Sequence, residues 1–311
     1  PGPCSARRTR LSSPTDARST GLADRSGGIG PSYSDRMSTI ATHDVETFQR
    51  DGATVLRGAL GPEWIDALRA GVERNRRQPS RWAHRYTNPD ESVGFWSDYV
   101  TWRGVPEYEH AVLDSGLADV AARLMGSRTA RFFHEHVLVK EPGASERTPW
   151  HHDQPYYCVD GDQNVSMWIG LDAVPADRAV RFLVGSHRWD RWFIPRRFVD
   201  HAPYAEPSDR YEYLPDIDAL IADDPDRYAV RSFATEPGDI VVFHYRTLHD
   251  APGNASTTER RRAVSLRWVG DDARWADRPW QVSPPFEPNG LAPGDLLDDE
   301  RFPVVANRRS R

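Results

Sequence analysis

Cysteine is nearly absent from this 311-residue chain, and the two present, Cys4 and Cys158, cannot build a disulfide framework. A reducing compartment, most simply the cytoplasm, is the expectation. Also missing is any apolar run near the roughly 20 residues that a membrane span needs. The first residues lack the charged-then-apolar pattern of a secretory leader. Extended blocks of one charge sign are missing too. The formal net charge of −6 and the pI near 6.0 arise from interspersed residues. That distribution argues against a general nucleic-acid binder and leaves a small molecule as the expected partner.

Large apolar side chains are scarce in residues 1–36, which are rich in Ser, Arg, Gly, Pro and Asp. Such a composition cannot offset the entropy of ordering, so a disordered N-terminal extension is expected there. Asp16, Asp24 and Asp35 weigh against a transit peptide. From Met37 the sequence becomes ordinary, and residues 37–311 are expected to form one domain.

What is present first is helical periodicity. Val45 and Phe48 suggest a short helix, Ala53–Leu56 reads as a strand after Gly52, and Pro62 sits well as an early residue of a helix carrying Ile65, Leu68 and Val72. The basic run 74–77 fits a solvated helix C-terminus. Residues 107–125 repeat the pattern through Val112, Leu117, Val120 and Leu124. Between these helices lie Trp82, Tyr86, Phe95, Trp96, Tyr99 and Trp102, without clear period, suited to a core edge or a pocket wall.

After Gly126 the signal turns to strands: 131–140, 165–171, 182–184, 240–243 and 263–269, separated by Gly, Pro and Asp turns. Helices followed by many non-adjacent strands predict an α+β chain whose core is a β-sandwich or barrel. The Pro-rich stretch 189–231 reads as a long insertion, a lid or binding loop, with helical potential at 217–221.

The candidate chemistry lies in Thr148-Pro149-Trp150-His151-His152-Asp153. In an extended strand His151 and Asp153 share a face while His152 points away. One imidazole and one carboxylate could share a metal with a distant second imidazole, leaving positions open for cosubstrate and oxygen. Both His244 and His249 compete for that distal role. His134 and His136 also share a face, and are read as hydrogen-bonded strand histidines because no carboxylate follows at equal spacing. His187, in Gly185-Ser186-His187, reads as turn chemistry.

Taken together, several segments resemble the phytanoyl-CoA dioxygenase family. They are Lys140-Glu141-Pro142-Gly143, Trp150–Gln154, Val184–His187, Gly238–His244 with His249 and Asn254, and Arg261–Ser265. The resemblance runs from about Phe48 to Val269. It implies a double-stranded β-helix, or jelly roll, flanked by N-terminal helices, with Fe(II) held by His151, Asp153 and His249. It also implies 2-oxoglutarate as cosubstrate, with O₂ as oxidant. An arginine on the strand after the distal histidine would grip the far carboxylate, and the Arg-x-Ala-x-Ser pattern selects Arg261 among Arg260, Arg261 and Arg262. A guanidinium suits this task because it binds carboxylates bidentately and keeps its charge.

By the same resemblance Lys140, Ser166 and Trp168 are expected around the cosubstrate. Where the family often has Ser two residues after the distal histidine, this chain has Ala251, so the expectation is that a hydrogen bond is either missing or supplied by Thr247 or Ser265. Arg178-Ala179 replaces the usual Asn-Gly turn. Halogenating relatives carry a small residue at the position of Asp153, so halogenation is disfavoured. The reaction expected is hydroxylation of an unactivated C–H in a small metabolite, with release of succinate and CO₂. Epimerisation, desaturation and cyclisation are alternatives within the same site. A cupin-like metal hydrolase or isomerase, or a non-catalytic jelly-roll binding protein, are alternatives of other classes.

Overall fold

The computed structural model describes residues 40–86, 94–198 and 200–307. The expected extension 1–36 lies outside them. Twelve strands carry the two main sheets: β1 Ala53–Leu56, β2 His84–Tyr86, β3 Phe95–Tyr99, β4 Thr129–Lys140, β5 Thr148–His151, β6 Asn164–Gly170, β7 Arg181–Leu183, β8 Val230–Ser232, β9 Ile240–Phe243, β10 His249–Ala251, β11 Arg261–Val269 and β12 Val304–Asn307. The larger sheet runs β1-β9-β6-β11-β4-β3-β2, with β12 also on β4, and the smaller runs β8-β7-β10-β5. Every pairing in both sheets is antiparallel.

The larger sheet is covered on both faces, and its sequences follow from that. One set of alternating residues, including Val137, Val139, Met167, Ile169, Ile240, Val242, Val264 and Leu266, packs into one apolar cluster with the helices. The opposite set, including Trp168, Val241, Phe243 and Ala263, packs with Phe182 of the smaller sheet. A strand apolar on both faces reads as a continuous run such as Ile240–Phe243, which is why β9 carries no polar alternation.

Four helices precede β4 among the described residues: α1 Thr42–Asp51, α2 Pro62–Arg77, α3 Pro106–Asp114 and α4 Leu117–Met125. The single helical stretch expected over 107–125 is thus two. Ser115 folds its hydroxyl back on Ala111 O, and Gly116 takes the left-handed φ of 79° that breaks the run. The aperiodic aromatics resolve into both roles foreseen for them. Trp96 and Trp102 join the core, whereas Tyr86, Phe95 and Tyr99 line a cavity.

The stretch 189–231 holds a two-strand ladder, Trp192–Phe193 with Tyr211–Glu212, and helix α5, Ile217–Asp223. Asp216 caps α5 by accepting from Ala219 N–H. Phe193, Leu214 and Ile217 bury against Trp150, Leu183 and Leu248, which anchors the insertion to the smaller sheet.

Two positions generate predictions. Gly52 ends α1 at φ 82°, and its carbonyl accepts both His244 N–H and the Thr247 hydroxyl. A Cβ there would collide with His187 Nδ1 and Thr247 Oγ1. Gly52→Ala should therefore lose roughly 1–3 kcal/mol in thermal unfolding.

Glu135 is fully buried, with one oxygen held by Thr101 and the other unpartnered, and burial pushes its carboxyl up to about 7. Because the folded state holds this proton more tightly than the unfolded chain, stability should fall as pH rises from the ordinary carboxyl value to about 7. Glu135→Gln should remove that slope. Urea midpoints at pH 5 and pH 8 should show the variant gaining about 1–3 kcal/mol over wild type only at the higher pH.

Candidate active site

His151 closes β5 and His249 opens β10, and the antiparallel register sets the two directly opposite each other. Their rings lie 4.2 Å apart. Each ring is tied back on its own strand: His151 Nδ1 lies 2.8 Å from Pro149 O, and His249 Nδ1 lies 2.9 Å from Thr247 O. With Nδ1–H donating, the lone pair of each imidazole sits on Nε2, where it faces Asp153. The separations to Asp153 Oδ1 are 3.5 Å from His151 and 3.8 Å from His249. All three ligand atoms fall within 4.8 Å of one another and all three residues are buried.

The carboxylate arrives there by a different route from the expected one. β5 ends at His151, and Asp153 has φ −70° and ψ −40° at the entrance to a 3₁₀ turn. Its N–H donates to Tyr245 O at 2.7 Å, which fixes the turn. Burial alone would raise its pKa. The Arg267 guanidinium, 3.4 Å from Oδ2, and the two imidazoles outweigh that and hold it well below the usual carboxylate range. Burial pushes His249 down to about 3, so its imidazole is neutral and a ready metal ligand.

The rival histidines are engaged elsewhere. His152 Nε2 accepts from Phe193 N–H at 3.1 Å. His244 accepts from Arg246 N–H on Nδ1 and meets Asp162 O with Nε2. His187 Nε2 lies 3.1 Å from Gln49 O, across the turn opened by Gly185. His134 and His136 differ from the reading as a hydrogen-bonded pair. They line the cavity, with His134 Nδ1 and His136 Nε2 buried and without partners.

That cavity, about 310 Å³, opens beside the triad between the two sheets. On one side lie Arg261, Lys140, Trp168, Ala251 and Ala263. Arg261 donates to the backbone carbonyls of Arg178 and Pro252. Burial, then the charge of Arg178, lowers Arg261 to about 10, which leaves it cationic at neutral pH. Lys140 Nζ donates to Glu146 O and Pro252 O, and burial pulls its pKa well down. Arg260 points outward to Glu141, and Arg262 to Asp172.

Two expected contacts fall elsewhere. Thr247 is fully buried with its hydroxyl turned to Gly52 O, away from the cavity. Ser166 lies under the triad, its hydroxyl 3.2 Å from Asp153 Oδ2. Ser265 does line the cavity, with its Oγ unpartnered. Cys158 is a buried packing residue whose thiol is pushed up to about 12 by burial.

Sequence reasoning missed Arg267. The period-two phase that aligns Arg261, Ala263 and Ser265 continues to residue 267, so the signal was present. Asn254 binds the carbonyls of Lys140, Glu141 and Glu259 and braces the loop beside Arg261.

Residues 48–263, more than half of the chain, match the family model described as phytanoyl-CoA dioxygenase (PhyH). An ectoine dioxygenase of Bordetella parapertussis is 25% identical over 232 residues, covering 71% of this chain and 73% of that protein. One from Nocardia farcinica is 24% identical over 235 residues, covering 71% and 75%. Among solved structures, the non-heme alpha-ketoglutarate-dependent carbocyclase SnoK from nogalamycin biosynthesis superposes with a TM-score of 0.67 at 23% identity, covering 87% of this chain and 98% of that one. EctD from S. alaskensis, solved with 2-oxoglutarate and 5-hydroxyectoine, gives 0.62 at 19% identity and 88% coverage of both. These likenesses establish a shared fold. The chain belongs to the phytanoyl-CoA dioxygenase family of iron- and 2-oxoglutarate-dependent oxygenases.

Proposed function

We propose that this protein hydroxylates an unactivated C–H bond of a small organic molecule, on a double-stranded β-helix scaffold. The observation that carries the reading is the pair of histidines whose Nδ1 atoms are tied to backbone carbonyls, leaving both Nε2 lone pairs aimed at one buried carboxylate. Such outer contacts fix the tautomer and orientation that a metal ligand needs. His151, Asp153 and His249 would hold Fe(II). Iron, when bound with 2-oxoglutarate, supplies the O₂-activating chemistry that yields succinate and CO₂.

The remaining roles belong to the chain. Arg261 would receive the far carboxylate of 2-oxoglutarate, its guanidinium oriented by the carbonyls of Arg178 and Pro252. Lys140 and Trp168 would wall that end, and Ser265 offers a hydroxyl toward the cavity. Ser166 would steady Asp153 instead of touching the cosubstrate. The insertion 189–231 would act as a lid, since Arg196, Arg197, Phe198 and Tyr204 reach the cavity from it. Epimerisation or ring closure is the second reading, because SnoN, an epimerase, and SnoK, a carbocyclase, share the fold.

Anaerobic addition of Fe(II) and 2-oxoglutarate should give a weak visible charge-transfer band, and admission of O₂ should give succinate. Absence of both under reducing conditions would sink the oxygenase reading. Asp153→Ala should abolish the band and iron retention. Arg261→Met should weaken 2-oxoglutarate binding by about 10- to 100-fold, the range expected for losing a hydrogen bond to a charged group. Arg260→Ala should stay near wild type because Arg260 pairs with Glu141 on the surface. A larger effect at Arg260 would show that the wrong arginine has been assigned.

A further inference from the structure

Four alternate residues of β11, Arg261, Ala263, Ser265 and Arg267, all line the cavity. Six residues of strand span roughly 20 Å, so Arg267 stands well away from the end where Arg261 lies. The residue is almost fully buried, at 5% exposure. Its contacts are few for five N–H donors: Asp153 Oδ2 at 3.4 Å from Nη2, Ser265 O at 3.4 Å from Nη1, and Tyr157, whose ring lies 5.6 Å away and whose hydroxyl also accepts from it. The Nε has no partner, nor do His134 Nδ1, His136 Nε2 and Ser265 Oγ, which line the same space. Four buried polar atoms left open on one wall form a set that a ligand would satisfy.

Charge points to the kind of ligand. Among the described residues that line the cavity Asp153 is the sole carboxylate, while Arg261, Arg267 and Lys140 are the basic groups inside and Arg196 and Arg197 stand at the insertion. Arg197 is already paired with Asp200, and Arg196 donates to Leu214 O. With iron(II) and dianionic 2-oxoglutarate bound, the dication and the two inner arginines already exceed Asp153 and the cosubstrate in charge, before Lys140 and Arg196 are counted. A buried charge without a counter-charge is unfavourable, and an anionic ligand offsets it.

We infer that Arg267, with His134 and His136, forms a second anion-receiving site, and that the primary substrate enters it carrying a carboxylate. This rests on the oxygenase reading. A carboxylate fits the planar guanidinium fork, and its two oxygens leave acceptors for the imidazole N–H groups. Tyr86, Tyr99 and Phe198, which line the same cavity, suit an apolar ring or chain attached to that carboxylate.

The probes are phenylacetate, 3-phenylpropionate and cyclohexanecarboxylate, each against its neutral amide. They are titrated calorimetrically and anaerobically into protein saturated with Fe(II) and 2-oxoglutarate. At least one acid should bind wild type tenfold or more tightly than its amide. Arg267→Met should bring that ratio close to one, Arg267→Lys should keep part of it, and His136→Leu should lower it at least threefold. His136→Leu leaves the contact with Asp153 intact and serves if Arg267→Met fails to fold. Equal binding of every acid and amide by wild type, a preference that survives undiminished in Arg267→Met, or one that His136→Leu lowers less than threefold, overturns the proposal alone. Absence of the charge-transfer band in wild type instead overturns the oxygenase reading and the charge balance with it.

Discussion

The site depends on one cross-strand pair. Setting His151 opposite His249 fixes two imidazoles at 4.2 Å, and a slip of one strand by one residue would turn its ring to the other face of the smaller sheet, away from its partner. Everything that holds this register therefore supports the metal-binding geometry. Leu183 N–H binds Leu248 O, Ser186 Oγ accepts from Leu248 N–H, and Thr247 is pinned to Gly52. Because the two rings are tied to carbonyls two residues upstream, the strand that places each ring also sets its tautomer.

Electrostatics complete what register begins. Asp153 is surrounded by cation and imidazole, so it stays ionised although buried. The cost of burying it is met locally by Arg267, Ser166 and the two histidines, within one layer of side chains. The larger sheet can present Ser166 and Arg267 on one face because its other face joins the helices in a continuous apolar core.

Much of this was legible because it follows local rules. Apolar runs marked β6 and β9, alternation marked β4, and the Pro62 and Arg74 signals bounded α2. Other features depend on contacts between distant segments. Strand phase paired His151 with Asp153 for a reason that does not hold, since a 3₁₀ turn anchored on Tyr245 turns the carboxylate inward. The choice of His249 over His244 came from family resemblance, and the physical ground appears only with Asp162 and Arg246 closing around His244. Thr247 looked suited to a cosubstrate because sequence cannot reveal that Gly52, nearly 200 positions earlier, takes its hydroxyl. Likewise Gly116 was visible, yet the run around it was apolar enough to read as one helix.

The division of labour between strands and the 189–231 insertion has a consequence for how such a protein diversifies. The triad and Arg261 sit on or beside strands whose register many contacts enforce, whereas Arg196, Arg197, Phe198 and Tyr204 come from a segment anchored by Phe193, Leu214 and Ile217. Changes in that segment can reshape the entrance while leaving the hydrogen bonds of His151, Asp153 and His249 untouched. The anchor residues are thus the boundary at which one catalytic scaffold could exchange one selectivity for another during evolution.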